Sequence, residues 1–185
     1  MVTPRLAQCC IGLGLLVSAL LAPVSSASAQ NYPARRITLV VPYTPGSGFD
    51  IVARTVGQKL AERWGQPVIV DNKAGASGTI GTEAVANAAP DGYTLLVSGG
   101  PHTVYPSLDF DLWFGFLGPA NLPAAIVRKW DDELAAINAL ADVKESLLKQ
   151  GLAPMSLDSA ATSELIRRDI ARWREVVQNA GVKPE

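Results

Sequence analysis

Three short turns rich in glycine and hydroxyl residues hold the chemistry this sequence could perform: Pro45-Gly46-Ser47-Gly48, Gly75-Ala76-Ser77-Gly78-Thr79 and Ser98-Gly99-Gly100-Pro101-His102-Thr103. Glycine lets a backbone approach a ligand, and amides that open a helix point outward, where the helix dipole favours negative charge. Hydroxyls at Ser47, Ser77, Thr79, Ser98 and Thr103 add donors without charge, which suits a carboxylate that must bind and leave again. Asp50 stands two residues past Gly48, in the first turn of an expected helix. It reads either as a cap or as a group that meets the ligand through water or accepts from a protonated or amino group, since direct contact with a carboxylate would be repulsive. Any one such segment is explained by turn formation alone. Three together point to a binding site.

The same inventory argues against catalysis. His102 is the only histidine, so an enzyme would have to use it as general base beside Ser77 or Ser98. Neither serine lies in Gly-x-Ser-x-Gly, and neither a Gly-x-Gly-x-x-Gly nor a phosphate-loop lysine pattern follows the first apolar run. A lone histidine supplies no metal site unless Asp or Glu residues gather around it, and no His or Cys partner is available outside the expected signal. No catalytic residue, metal or cofactor is therefore expected. Of the tryptophans, Trp64, Trp130 and Trp173 fall in phase with apolar helical stripes, and with Trp113 they read as core packing rather than ligand stacking.

The elements that must position these turns follow from periodicity. Arg36 to Pro42 is a β-branched run closed by proline, the pattern of a strand buried on both faces. Ile51, Val52, Val56, Leu60 and Ala61 then recur at helical spacing until Gly65. Pro67 to Asp71 reads as a second strand, Thr82 to Ala89 as a second helix and Tyr93 to Ser98 as a third strand. Alternation of this kind predicts right-handed crossovers and a mostly parallel sheet. Loops at the carboxyl ends of such strands converge on one edge.

Beyond an irregular stretch from Gly99 to Asp111, one more strand is expected at Leu112 to Leu117. A helix should then start near Pro123 and weaken between Asn138 and Asp142, with Gly151 as its stop. A last helix capped within Ser156 to Asp158 carries Leu165, Ile166, Ile170, Trp173, Val176 and Val177 as an apolar stripe, ended by Gly181. These helices are expected to cover the sheet.

The amino terminus has the order that export machinery reads: one cation, Arg5, an apolar run from Cys9 to Ala22, and the small-residue pattern Ala27-Ser28-Ala29. The run is short for a bilayer span, which needs roughly 20 apolar residues. Residues 1–29 are therefore expected to be a cleaved signal peptide. Both cysteines would leave with it, so a mature chain of about 156 residues must be stabilised by packing, as one domain. Its net charge, about −2 once Arg5 is removed, and its interspersed acids and bases give no basic stripe, so no nucleic-acid partner is expected.

These residues carry a family resemblance. The segments Pro45-Gly46-Ser47-Gly48-Phe49-Asp50-Ile51-Val52-Ala53-Arg54, Gly65-Gln66-Pro67-Val68-Ile69-Val70-Asp71-Asn72, Lys73 to Gly81 and Pro90-Asp91-Gly92-Tyr93-Thr94-Leu95-Leu96 are similar to Bug-type receptors of tripartite tricarboxylate transporters. The resemblance resumes at Trp113-Phe114-Gly115-Phe116 and at Ile170-Ala171-Arg172-Trp173. It implies a periplasmic, monomeric solute-binding protein that closes on small carboxylates and delivers them to a membrane permease. Residue by residue, it implies ligand contacts for Ser47, Gly48 and Asp50, for Ser77, Gly78 and Thr79, and for Ser98 and His102.

In the family, well over a hundred residues separate the parts matching Leu108 and Trp113, whereas this chain has only Asp109 to Leu112 there. The expectation is a single α/β lobe of a type II periplasmic-binding-protein-like fold, built from 30–108 and 109–185, with the second lobe absent and binding weakened. The competing expectation is an exported interaction module, or a non-functional remnant that has lost ligand binding.

Overall fold

The β-branched run after Arg36 forms β1 (Ile37–Val41) at the centre of the sheet in the computed structural model, which describes residues 32–99 and 113–179. Helix α1 (Gly48–Trp64) leads to β2 (Val68–Asn72), and a 3-10 turn (Ala76–Gly78) and α2 (Thr79–Ala86) lead to β3 (Thr94–Gly99). After the residues outside the description come β4 (Phe114–Leu117), α3 (Ala124–Ala139), α4 (Ala141–Lys149) and α5 (Ser159–Asn179).

The sheet order is β2-β1-β3-β4, with β1 parallel to both β2 and β3, and β4 antiparallel to β3. This is the mixed α/β, mostly parallel architecture expected, and the run ending at Leu117 joins the same sheet. Because side chains alternate along a strand, the two faces take different helices. Leu39 and Val68 pack against Gly57 of α1, whereas Val40 and Leu96 cluster with Val85 of α2 and with Leu117. Phe49, Ile37, Leu39 and Leu60 are fully buried, each contributing about 1.5–3 kcal/mol of transfer free energy.

The ends of the elements have local causes. Gly65 closes α1 with a left-handed φ of 63°, which a residue with a Cβ adopts only at a cost, and its N–H donates to the Ala61 carbonyl. Helix α2 begins at Thr79, three residues before the expected Thr82, because Gly78 takes φ 95° and turns the chain into the helix; it ends at Ala86 and not at Ala89. The weak point between α3 and α4 is one residue, Leu140, whose extended ψ of 135° breaks the helix. Asp158 caps α5, its Oδ1 accepting from the Ala161 N–H at 2.8 Å.

One expectation needs correction. The carboxy-terminal helices do not simply cover the sheet. Helix α1 already lies over β1, β2 and β3, so α3 and α4 pack chiefly on α1. Helix α3 reaches the sheet at its β4 end, where Trp130 stacks on Phe116 at 6.2 Å and meets Trp64 of α1 edge-on at 4.9 Å. Trp130 is buried, which bears out core packing as its role.

Candidate functional site

Three parallel strands run the same way, so the chain leaves Val41, Asn72 and Gly99 on one edge of the sheet. The antiparallel β4 starts from that edge, because its first residue, Phe114, pairs with Gly99. Topology alone thus brings the first two glycine-rich turns, the start of the third and the aromatic ring of Phe114 together.

The first turn is built around Phe49, which has no exposed surface. Tyr43 stacks on it at 4.6 Å, and Phe114 meets it edge-on at 4.8 Å. Ser47 is the N-cap of α1, with extended backbone and an Oγ that accepts from the Asp50 N–H at 3.3 Å. Gly48 is the first helical residue; a Cβ there would come within 3.1 Å of the Phe114 ring, so the absence of a side chain lets the turn sit against β4.

Asp50 is 4% exposed and fully engaged by the chain's own donors. Its Oδ2 accepts from the Gly46 N–H at 3.0 Å and from Arg54 Nε at 2.9 Å. Its Oδ1 accepts from Asn72 Nδ2 at 3.0 Å and from the Arg54 guanidinium at 2.9 Å. The hydrogen bond from Arg54, aided by those from Gly46 and Asn72, holds this carboxyl down at about 2 despite the opposing effect of burial.

The second turn has an unusual backbone. Gly75, Ala76, Ser77 and Gly78 have φ of 137°, 44°, 53° and 95° in succession. Positive φ at Ala76 and Ser77 is a costly conformation for residues with a Cβ, and such outliers concentrate where a turn holds a ligand. Gly78 is buried beneath the first turn: a Cβ there would lie 3.4 Å from Pro42 Cβ and 3.6 Å from the Tyr43 ring. Thr79 begins α2, and the Gly78 carbonyl accepts from Thr82 Oγ1 at 2.9 Å. Ser77 and Thr79 are exposed.

Of the third segment, Ser98 is half-buried in β3 and paired with Gly115, while His102 and Thr103 lie outside the described residues. The structure therefore brings Ser47, Gly48, Ser77, Gly78 and Thr79 to one edge, with Ser98 near the end of the strand that leads there. Sequence reasoning did not single out Arg54, Asn72, Tyr43 or Phe114. The Asp50 to Arg54 spacing of four residues is a helical pairing distance and could have revealed Arg54; nothing in the sequence links Asn72 or Phe114 to the first turn.

Among the described residues, the cations at this edge are balanced: Arg54 is paired with Asp50, and Lys73 with Asp71 at 3.1 Å. What the turns can offer an anion is therefore amide and hydroxyl donors. Among the described residues no group of three His, Cys, Asp or Glu side chains gathers in the manner of a metal site. A separate polar groove of about 220 Å³ lies between α1 and α4, lined by Thr55, Gln58, Lys59, Asp142, Val143 and Ser146, with Lys59 bonded to Asp142 at 2.7 Å.

The fold is similar to that of the periplasmic binding protein BugD, with a TM-score of 0.74 and 17% identity, the match covering 83% of this chain and 100% of that one. It is also similar to MatC from Rhodopseudomonas palustris with bound malate, with a TM-score of 0.69 and 18% identity over 79% of this chain and 100% of that one.

Residues 52–112 match the model described as the tripartite tricarboxylate transporter family receptor, which bears out the resemblance read from the residues. That family is one of solute-binding receptors, not an enzyme class. The chain is 49% identical over 88 residues to Protein BugT of Bordetella pertussis, covering 48% of this chain and 26% of that one. It is 37% identical over 132 residues to a UPF0065 protein from the tcbD-tcbE intergenic region of a Pseudomonas species, covering 66% of this chain and 39% of that one. The chain thus spans about a quarter to two-fifths of the length of these curated relatives.

Proposed function

We propose that this chain is the carboxylate-gripping lobe of a periplasmic solute receptor that serves a tripartite tricarboxylate transporter. On this reading residues 1–29 are a cleaved export signal, the lobe is assembled from 30–108 and 109–185, and the second lobe is absent. The observation that carries the reading is the convergence of the first two turns, with amides at the starts of α1 and α2, on one edge of a parallel sheet. Ser47, Gly48, Ser77, Gly78 and Thr79 supply the donors, with Ser98 and His102 contributing from the third segment.

Support also comes from the relatives. A similar fold from R. palustris was solved with adipate, with a TM-score of 0.73 and 17% identity, and MatC was solved with malate. Both ligands are small dicarboxylates. A pocket typically buries 70–90% of a small ligand, and one wall cannot do so. The affinity should therefore be weak, with a dissociation constant on the order of millimolar, equivalent to about 4 kcal/mol. A second lobe would add donors and exclude water, strengthening each charge-assisted hydrogen bond.

The test is calorimetric or ligand-detected NMR titration with succinate, malate, adipate, citrate and glutamate. It compares the chain starting at Gln30 with a version carrying a second lobe from a similar receptor between Leu108 and Asp109. Millimolar binding by the first and a gain of orders of magnitude in the second are expected. Micromolar binding by the unmodified chain would overturn the single-wall account, and no binding by either would overturn the receptor reading.

A further inference from the structure

We infer that Asp50, Arg54 and Asn72 form a positioning clamp that locks the first and second turns into one preset donor surface, so that Asp50 serves the site without touching its ligand. The role in binding rests on the receptor reading above; the mechanical role does not. An ionised carboxylate offers about four lone-pair sites. Here Gly46 N–H, Arg54 Nε, Asn72 Nδ2 and the Arg54 guanidinium nitrogen approach them at 3.0, 2.9, 3.0 and 2.9 Å. These donors come from the first turn, from helix α1 and from the end of β2.

The ring closes on itself. Asn72 Nδ2 also donates to the Tyr43 carbonyl at 3.2 Å, and Asn72 Oδ1 accepts from Arg54 at 3.2 Å. The next residue, Lys73, donates its N–H to the Val41 carbonyl at 2.8 Å. The roots of both turns are therefore bonded to one buried group. The clamp also resolves an electrostatic conflict, because a bare carboxylate beside an anion site would repel the ligand, whereas this one is neutralised by Arg54. With its oxygens engaged, Asp50 has little to offer the ammonium group of an amino-acid ligand. It should not discriminate glutamate from succinate.

The experiment uses the chain from Gln30 and the variants Arg54→Ala, Asn72→Ala and Arg54→Lys, with thermal melts to confirm folding. Amide hydrogen exchange is read at Gly46 to Phe49 and at Gly75 to Thr79 without ligand, and dissociation constants are then measured for succinate and glutamate. Arg54→Ala and Asn72→Ala should each speed exchange at Gly46 by about tenfold or more, with faster exchange in both turns, and weaken succinate and glutamate in parallel. Arg54→Lys, which keeps the charge but loses the fork, should fall between wild type and Arg54→Ala.

Exchange unchanged in the alanine variants would overturn the clamp. So would a loss confined to glutamate, which would place Asp50 against the ligand's ammonium group. If the wild-type chain and the two-lobed version bind no carboxylate, the receptor reading fails while the exchange data still decide the clamp.

Discussion

In the amino-terminal half of the lobe Ile37, Leu39, Val41, Phe49, Ala53 and Leu60 are each 0% exposed, while in the carboxy-terminal half Leu148, Met155, Leu157 and Ile170 are 59%, 51%, 41% and 53% exposed. The first half is a parallel sheet with α1 and α2 on opposite faces, and among its described large apolar residues only Ile69 and Ile80, on the α2 side, are exposed. The second half buries Ile126, Trp130, Ile137, Val143 and Leu147 where α3 and α4 pack on α1, and β4 pairs with β3, whereas α5 adds little buried apolar surface and is tied to the start of β4 by the Trp113 Nε1–H bond to Asp169 at 2.7 Å. Local stability follows buried apolar contact, so α5 should open more readily than the sheet. The turns proposed to bind the ligand are rooted in the better-packed half, as a preset donor surface requires.

Emptying the better-packed half should have the largest effect. Phe49→Ala removes the ring between Tyr43 and Phe114 and should cost about 3–5 kcal/mol in urea unfolding. A cost below about 1 kcal/mol would mean that the first turn is not tied to the core.

Crowding the join between the turns comes next. A Cβ at Gly81 would sit 2.9 Å from Pro42 Cα and 3.0 Å from the Lys73 carbonyl oxygen, so Gly81→Val should cost about 1–3 kcal/mol. The disturbance should be seen in the NMR signals of the first turn as well as the second. Signals altered in the second turn alone would show that the two turns move independently.

Acid should act through the clamp. The Asp50 carboxyl is lowered from its ordinary value to about 2 in the folded chain, so the stability it confers is fully present above about pH 4 and is lost as pH falls toward 2. Its contribution is about 1–2 kcal/mol, allowing for solvent screening of Arg54, whose side chain is 55% exposed. Comparing urea midpoints of wild type and Asp50→Asn from pH 5 to pH 2 checks this, since the variant should lack that part of the pH dependence.

The smallest effect is expected at Ile170, the exposed residue of the α5 stripe. Ile170→Ser should change stability by no more than about 0.5 kcal/mol. A large loss would show that a packed surface covers this face in solution.

The strands were legible because β-branched runs bounded by proline or glycine have few alternatives, and β1 to β3 fall within a residue of their expected ends. The Leu140 break was legible as a lapse in helical phase between Asn138 and Asp142. The start of α2 was not, because the left-handed φ of Gly78 is set by the turn's packing under Pro42 and Tyr43. Ile170 marks a different limit: a stripe at helical spacing identifies an apolar face but not what covers it. At the site, the turns were visible as composition and Asp50 as either a cap or a ligand contact. Its bond to Asn72, 22 residues away, exists only because β1 and β2 align Val41 with Asn72.

The most direct test of the account is where a carboxylate lands. Titrating succinate into the 15N-labelled chain should move the amide signals of Ser47, Gly48 and Phe49 together with those of Ser77, Gly78 and Thr79, leaving the groove at Gln58, Lys59 and Asp142 unchanged. Shifts confined to that groove, with the two turns unmoved, would contradict it.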